Sequence, residues 1–325
     1  MTKKLTLAIP TYKRTDVVVA LIDRLLEEKL DAIVDILLID DAPSENLKDR
    51  LGGLMDRITF IVHEENKGYC NTFCELFENC NTEYVLVAAD DDKIITEQLL
   101  QINKHLNHNS FDFLSTRWLR KNGKTYRGKN KCTSISLTEI EAASNHAPGL
   151  IYRVDAVIPL LPFLKERIRK KCQATFFYPQ VIVLYLLQLQ QKKCFWHPNA
   201  PVQEGNSCTS NLIDIDGNAY YSVQGRWKIY LDFIDLFNEL QQGDFSTHSQ
   251  PIGDFAKTIQ ALKIRYQQKN YKRIDSAVRM GDKDAWMNWV AESFISNLQR
   301  PFLLFYCICF WLKNWIKYRV ILKKS

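Results

Sequence analysis

Three consecutive aspartates, Asp90-Asp91-Asp92, close the apolar run Tyr84-Val85-Leu86-Val87-Ala88-Ala89. Two like charges ~4–5 Å apart repel by roughly 3–4 kcal/mol at an effective dielectric of ~20, so a carboxylate trio at a strand end calls for solvent or a divalent cation. Ligands of α/β sheets gather where strands end, and Mg²⁺ or Mn²⁺ takes one or two carboxylates together with phosphate oxygens. The chemistry expected of Asp90, Asp91 and Asp92 is therefore to hold a metal ion and a diphosphate. A solvated Asp-rich turn would also suit these residues.

Three more polar groups follow apolar runs in the same way. Pro10-Thr11-Tyr12-Lys13-Arg14 follows residues 5–9, Asp40-Asp41-Ala42-Pro43-Ser44 follows Ile36-Leu37-Leu38-Ile39, and Asn66-Lys67-Gly68, with Asn71 just beyond, follows residues 58–62. Taken singly, each has a plain structural use: a strand-ending turn, a helix cap, a surface turn. Their recurrence at four successive strand ends argues for one ligand-facing edge.

The intervening elements must build that edge. Apolar residues at Val18, Val19, Leu21, Ile22, Leu25 and Leu26 predict a helix over 16–28, and further helices are expected at 46–55 and 69–78. Continuous apolar strands alternating with helices predict an α/β fold, a mostly parallel sheet with helices on both faces. Beyond residue 110 the pattern loosens. Strands are expected at 111–114, 133–137 and 149–154, a basic hairpin at Arg117-Trp118-Leu119-Arg120-Lys121-Asn122-Gly123-Lys124, and an apolar helix at 178–189 with Pro179 in its first turn.

The four motifs, in this order and spacing, resemble those of family 2 glycosyltransferases with a GT-A, Rossmann-like fold. The likeness is good over residues 1–110, weak through Asn145-His146-Ala147-Pro148-Gly149-Leu150-Ile151-Tyr152-Arg153 to about 230, and lapses after that. It implies that Pro10, Thr11, Tyr12, Arg14, Asp40, Asp41, Asn66, Lys67, Gly68, Asn71, Asp90 and Asp91 bind a nucleotide-sugar donor, and that Asp90, Asp91 and Asp92 hold Mn²⁺ or Mg²⁺. A UDP-sugar donor, a glycan or lipid-linked glycan acceptor of a bacterial surface polysaccharide (O-antigen, capsule or lipooligosaccharide) and an inverting reaction are what the resemblance implies of function.

One part of the family pattern is missing. Inverting members use a carboxylate base from an acidic pair, yet no Asp or Glu lies between Glu166 and Glu204, and Phe176-Phe177-Tyr178-Pro179-Gln180 stands where the pair is expected. A positioned base is worth ~10²–10⁴-fold in rate. Asp155, Glu204, His146 and His197 are the candidates, and Trp118, Tyr178, Trp196 and Tyr221 are candidate sugar platforms. A fold that has lost its base and survives as a non-catalytic nucleotide-binding or scaffold protein is the alternative.

Composition narrows the setting. Apolar residues at 46% and charged residues at 25% describe a globular chain, and the net charge of +6 suits an acidic partner. Nine cysteines without a Cys-x-x-Cys pair argue against a zinc ribbon or disulfide framework and for a reducing, cytoplasmic setting. The N-terminus reaches turn residues too early for a signal-peptide core. Residues 1–225 are expected to form the catalytic domain, and 226–325 a helical region with a polar linker near 243–253. Lys263, Arg265, Lys269, Lys272 and Arg273 interleave with Tyr266 and Tyr271, but no RNA-binding motif accompanies them and no nucleic-acid partner is expected. Within 302–322 an eleven-residue apolar run, too short to span a bilayer, is followed by Lys313, Trp315, Lys317 and Arg319, which suits a helix lying on the cytoplasmic membrane surface.

Overall fold

The computed structural model describes residues 3–42, 46–205, 223–242 and Ile259. In chain order the elements are β1 (Leu5–Thr11), α1 (Thr15–Glu27), β2 (Asp35–Asp40), α2 (Leu47–Leu51), β3 (Thr59–Val62), α3 (Tyr69–Glu78), β4 (Tyr84–Val87), β5 (Lys93–Ile94) and α4 (Thr96–His108). There follow β6 (Phe113–Leu119), β7 (Thr125–Arg127), β8 (Thr133–Ser134), α5 (Ile140–Ser144), β9 (Leu150–Arg153), α6 (Val154–Val157), α7 (Leu161–Arg169), α8 (Gln173–Phe177), α9 (Pro179–Leu189), β10 (Cys194–Gln203) and α10 (Val223–Gln242).

β1 runs through Pro10, where the sequence pattern placed its end. Alternate residues of a strand address alternate neighbours. Ala8 accepts the Ala88 N–H on the β4 side, and Thr11 accepts the Asp41 N–H on the β2 side. Pro10 therefore faces β4, where pairing has already stopped at Ala8 opposite Val87, and the missing N–H costs no ladder bond. The extra two residues pair with β2 and carry Thr11 to the sheet edge, opposite Asp40.

The sheet has the order β3-β2-β1-β4-β9-β6-β10-β5, with β7 on β6 and β8 on β10. β1 to β4 are parallel. β9 is antiparallel to β4, with Val87 opposite Leu150 and Tyr84 opposite Arg153. β6 is antiparallel to β9, and β10 runs parallel to β6 with Gln203 opposite Leu119. The carboxyl ends of β1, β2, β3, β4, β6 and β10 thus share one edge with the start of β9 and the Asp90-Asp91-Asp92 turn. Buried residues of β1, β2 and β4 (Leu5, Leu7, Ile9, Leu38, Leu86) meet the apolar stripe of α1 (Val18, Leu21, Ile22, Leu25) in one core.

Several expectations shift. Gly52 and Gly53 end α2 at Leu51 and the chain continues as a 3₁₀ turn, Gly52–Arg57. β6 extends through Arg117-Trp118-Leu119, so the hairpin turn begins only at Arg120. The strand expected at 133–137 shortens to two residues before a 3₁₀ turn at Leu137–Glu139, capped reciprocally by Ser136 and Glu139. α4, α7 and β10 are additions to the elements read from sequence.

The chain separates into two compact units, Met1–Ser210 with Gly243–Gln250, and Asn211–Gln242 with Pro251–Ser325. In the second, α10 buries Ile229, Tyr230, Phe233, Leu236, Phe237 and Leu240, a 3.6-residue stripe. Among the described residues no helix is long and apolar enough to cross a membrane. The 243–253 linker, the basic stretch 263–273 and the segment 302–322 lie outside the described residues.

Candidate active site

Two strand ends far apart in sequence meet at the shared edge. Thr11 Oγ1 donates to Asp90 Oδ2 at 2.7 Å, and Arg14 Nη1 reaches Asp90 Oδ1 at 2.7 Å and Asp91 Oδ2 at 3.1 Å. Burial raises the Asp90 carboxyl above the ordinary carboxylate range, against the Thr11 and Arg14 contacts. Asp92 turns back, its Oδ2 accepting the Ala89 N–H at 3.1 Å. Burial pushes its acid up to about 7, and repulsion from Asp91 and Asp90 adds to this. The triplet therefore splits by role: Asp90 is bound to the first loop, Asp91 is the most accessible, and Asp92 is buried with its charge poorly compensated.

Asp41, expected to face the ligand, holds a loop instead. Its Oδ1 receives the Lys67 N–H at 2.7 Å and lies 2.7 Å from His63 Nδ1, while its Oδ2 receives the Gly68 N–H at 2.8 Å. His63 Nε2 is 2.7 Å from Glu75 Oε2, and Lys67 Nζ is 2.8 Å from Glu75 Oε1. Burial disfavours the Glu75 anion, but the Lys67 and His63 contacts outweigh it and hold its acid below the usual range. Asn66 Oδ1 accepts the Gly68 N–H and Asn71 Nδ2 donates to Lys67 O, so the motif is largely tied to itself. Gly68 has φ +79°, and a Cβ there would sit 3.3 Å from the Phe176 ring, which brings α8 against the loop. Asp40 accepts the Ala42 N–H at 3.0 Å, and Tyr12 is exposed under Lys13. Ser44 lies outside the described residues.

The base candidates separate by topology. Asp155 follows β9, whose end lies opposite Tyr84 at the start of β4, so it is exposed at the far edge of the sheet, too distant from the triplet to be its base. His146 lies near the right edge but packs on Trp118 at 4.3 Å, and burial drives its imidazole down to about 3. Its carbonyl, with those of Thr116 and Pro148, accepts from the buried guanidinium of Arg127. That makes His146 part of a pinned loop. His197 stacks edge-on against His105 at 4.9 Å, and burial lowers it to about 4. Trp118, Tyr178 and Trp196 are buried and serve the core; Tyr221 lies outside the described residues.

Glu204 is the candidate carried to the triplet. Its N–H donates to Leu119 O at 2.8 Å and its Oε2 accepts the Lys121 N–H at 3.2 Å. The neighbouring Gly205 lies so close to the triplet that a Cβ there would overlap the Asp91 carbonyl. β10, with Pro198 and Pro201 inside it and a bulge between His197 and Val202, positions both. His63, Glu75 and Arg127 carry no motif signal; their contacts with Asp41 and with the Thr116, His146 and Pro148 carbonyls show them to be at the site.

The family model for glycosyl transferase family 2 matches residues 6–185, which takes in all four motifs and the pinned loop. The chain belongs to this family. No curated protein matches it. Among solved structures, residues 1–349 of S. aureus TarS in complex with UDP-GlcNAc superpose with a TM-score of 0.58 at 15% identity, covering 89% of this chain and 80% of TarS 1–349. A mannosyltransferase of Pyrobaculum calidifontis in complex with GDP-Man and Mn²⁺ superposes at 0.51 and 12% identity, covering 97% and 87%. At these identities the likeness shows the fold, the GT-A arrangement, and with the family it shows a glycosyltransferase.

A divalent cation fits part of the triplet. Among the described residues no cluster of three or more His, Cys, Asp or Glu is arranged around a common metal position, and Asp90 is committed to Thr11 and Arg14. Mg²⁺ or Mn²⁺ needs only one or two carboxylates when phosphate oxygens complete its shell. Asp91 and Asp92 are the carboxylates that would form such a pair, and the buried Asp92 carboxylate has no cation in direct contact among the described residues.

Proposed function

We propose that this glycosyltransferase moves a sugar from a UDP-sugar to a bacterial surface glycan, such as O-antigen, capsule or lipooligosaccharide, with inversion and with the help of Mn²⁺ or Mg²⁺. The observation that carries the reading is the junction of Thr11 and Arg14 with Asp90 and Asp91, a fixed charge arrangement at the edge where four family motifs meet. UDP-GlcNAc on TarS and GDP-Man with Mn²⁺ on the Pyrobaculum enzyme support a nucleotide-sugar donor and a metal.

In this reading Asp91 and Asp92 hold the cation, which when bound neutralises the donor diphosphate. Arg14, already shared between Asp90 and Asp91, orients the acidic turn and adds positive charge beside the leaving group. The loop at Lys67 and Gly68, fixed through Asp41, closes on the nucleotide. Glu204 is the base. Lys121 holds one of its oxygens, and the other, without a partner among the described residues, takes the acceptor hydroxyl proton as the acceptor oxygen attacks the anomeric carbon and the bond to the departing nucleoside diphosphate breaks. The catalytic work is assigned to residues 1–225, in the cytoplasm, and docking at the inner membrane face to 226–325.

The test is release of nucleotide from UDP-, GDP-, CDP- and dTDP-sugars with and without Mn²⁺, beside an Asp90→Asn/Asp92→Asn variant. Metal-dependent release from UDP-sugars, lost in the variant, is expected. Release from another nucleotide class alone would displace the UDP assignment, and no release from any donor would remove the reading.

A further inference from the structure

Between Asp112 and Glu139 the chain has no acidic residue and seven basic ones, Arg117, Arg120, Lys121, Lys124, Arg127, Lys129 and Lys131. The structure gives this run a shape and an address. β6 and β7 pair antiparallel, with Leu119 opposite Thr125, so residues 120–124 form a turn projecting past the carboxyl edge of the sheet. That turn is adjacent to the triplet: Gln203 Nε2 donates to the Arg120 carbonyl, and Glu204 accepts from Lys121 while Gly205 abuts Asp91.

Three cations of the run have partners. Arg127 is buried on backbone carbonyls, Lys129 pairs with Glu139 at 2.5 Å, and Arg117 donates to Thr125 Oγ1. Arg120, Lys121, Lys124 and Lys131 are exposed, and their side-chain cations have no carboxylate partner among the described residues. Their mutual repulsion is tolerated only in water, and an anion relieves it. Between these cations stands Tyr126, 46% exposed, with the Arg120 guanidinium 5.2 Å from its ring centre. A ring that is apolar on its faces, set among cations at the mouth of a sugar-transfer site, suits a pyranose that bears negative charge.

We infer that the β6–β7 hairpin is the docking surface for the acceptor, and that this acceptor is an acidic glycan carrying phosphate or carboxylate groups. The inference rests on the transferase reading above and adds the acceptor's chemical class to it. A membrane surface fits less well, because Tyr126 is the one strongly exposed large apolar side chain of the hairpin. A nucleic acid fits less well, because no RNA-binding motif accompanies these residues.

The experiment measures binding of the full chain to hyaluronan oligosaccharides, a phosphate-bearing mannan, neutral dextran, a single-stranded oligonucleotide and phosphatidylglycerol vesicles, each at low and high salt. An Arg120→Glu/Lys124→Glu variant is compared with a matched reversal at the exposed Lys170 and Lys171. Both acidic glycans are expected to bind better than dextran, more weakly at high salt, and about tenfold or more weakly in the hairpin variant but not in the matched control. Equal binding of dextran, or undiminished acidic-glycan binding in the hairpin variant, would overturn the proposal. So would a hairpin variant that loses only the oligonucleotide or the vesicles. Acceptor-independent donor hydrolysis by the parent protein separates the two readings: its absence would defeat the transferase reading, while the glycan comparison would still decide the docking surface.

Discussion

His63 is 2% exposed at its side chain and sits between two carboxylates, one of which holds the Lys67-Gly68 loop by two backbone N–H groups. Replacing it with Ala leaves Asp41 and Glu75 facing each other without the ring between them, a loss of roughly 2–4 kcal/mol for a buried charge-assisted pair. Because the ring acts on the Lys67-Gly68 loop through Asp41 and Glu75, His63→Ala is expected to raise the donor KM about tenfold while kcat changes less than about threefold. Steady-state kinetics with the donor varied decides this, and a fall confined to kcat would contradict the clamp. Asp92 is the opposite case. Asn keeps the Ala89 N–H bond and removes a buried charge, so Asp92→Asn is expected to melt no lower than the parent in metal-free buffer while losing transfer by ~10²-fold or more. A lower melting temperature would mean that the charge is compensated by a contact other than a ligand's.

At the scale of elements, the strand that completes the site is β10, and its last turn packs against the triplet backbone at Gly205. A methyl group there forces either β10 or the Asp90-Asp91-Asp92 turn to move. Gly205→Ala is therefore expected to lower transfer by more than about tenfold. Gly53→Ala, in the 3₁₀ turn after α2 with nothing within 4 Å of its new Cβ, is expected to leave activity unchanged and to alter stability by less than about 1 kcal/mol. Parallel assays of the two variants check the contrast. The same strand marks the limit of what sequence reading reaches. β1, β2 and β4 are continuous apolar runs, so the ends of β2 and β4, and that of β1 to within two residues, are legible from hydrophobic pattern, and Thr11, Arg14 and Asp90 with them. β10 carries two prolines and a bulge, reads as a loop, and pairs with β6 some eighty residues earlier. Asp155 misleads for the matching reason: it follows directly on the family-like segment 145–153, and only the antiparallel sense of β9 sends it to the other edge. Asp41 keeps its expected place but not its expected contact, since its partner His63 belongs to a loop with no pattern of its own.

At the scale of the whole molecule, folding stability adds the proton affinities of groups scattered through the fold. His146 and His197 are buried neutral, their acids lowered from 6.5 to about 3 and about 4, with burial the chief cause in both. An unfolded histidine binds a proton below about pH 6.5, whereas these two resist it until the pH falls well below 5. The unfolded state therefore holds more protons between those limits, and each histidine makes the fold less stable as pH drops from 7 to 5, by about 2 kcal/mol. Asp92 works the other way: its acid is raised from 3.8 to about 7, so the folded state holds the extra proton and gains stability on acidification across the same range. The parent's net pH profile mixes the two signs, so the informative quantity is a difference. Urea unfolding of the parent and of His197→Gln at pH 7 and pH 5 is expected to show the parent losing about 2 kcal/mol more than the variant over that interval. Parallel losses would mean that His197 is protonated in the fold, and that its packing against His105 does not exclude the charge.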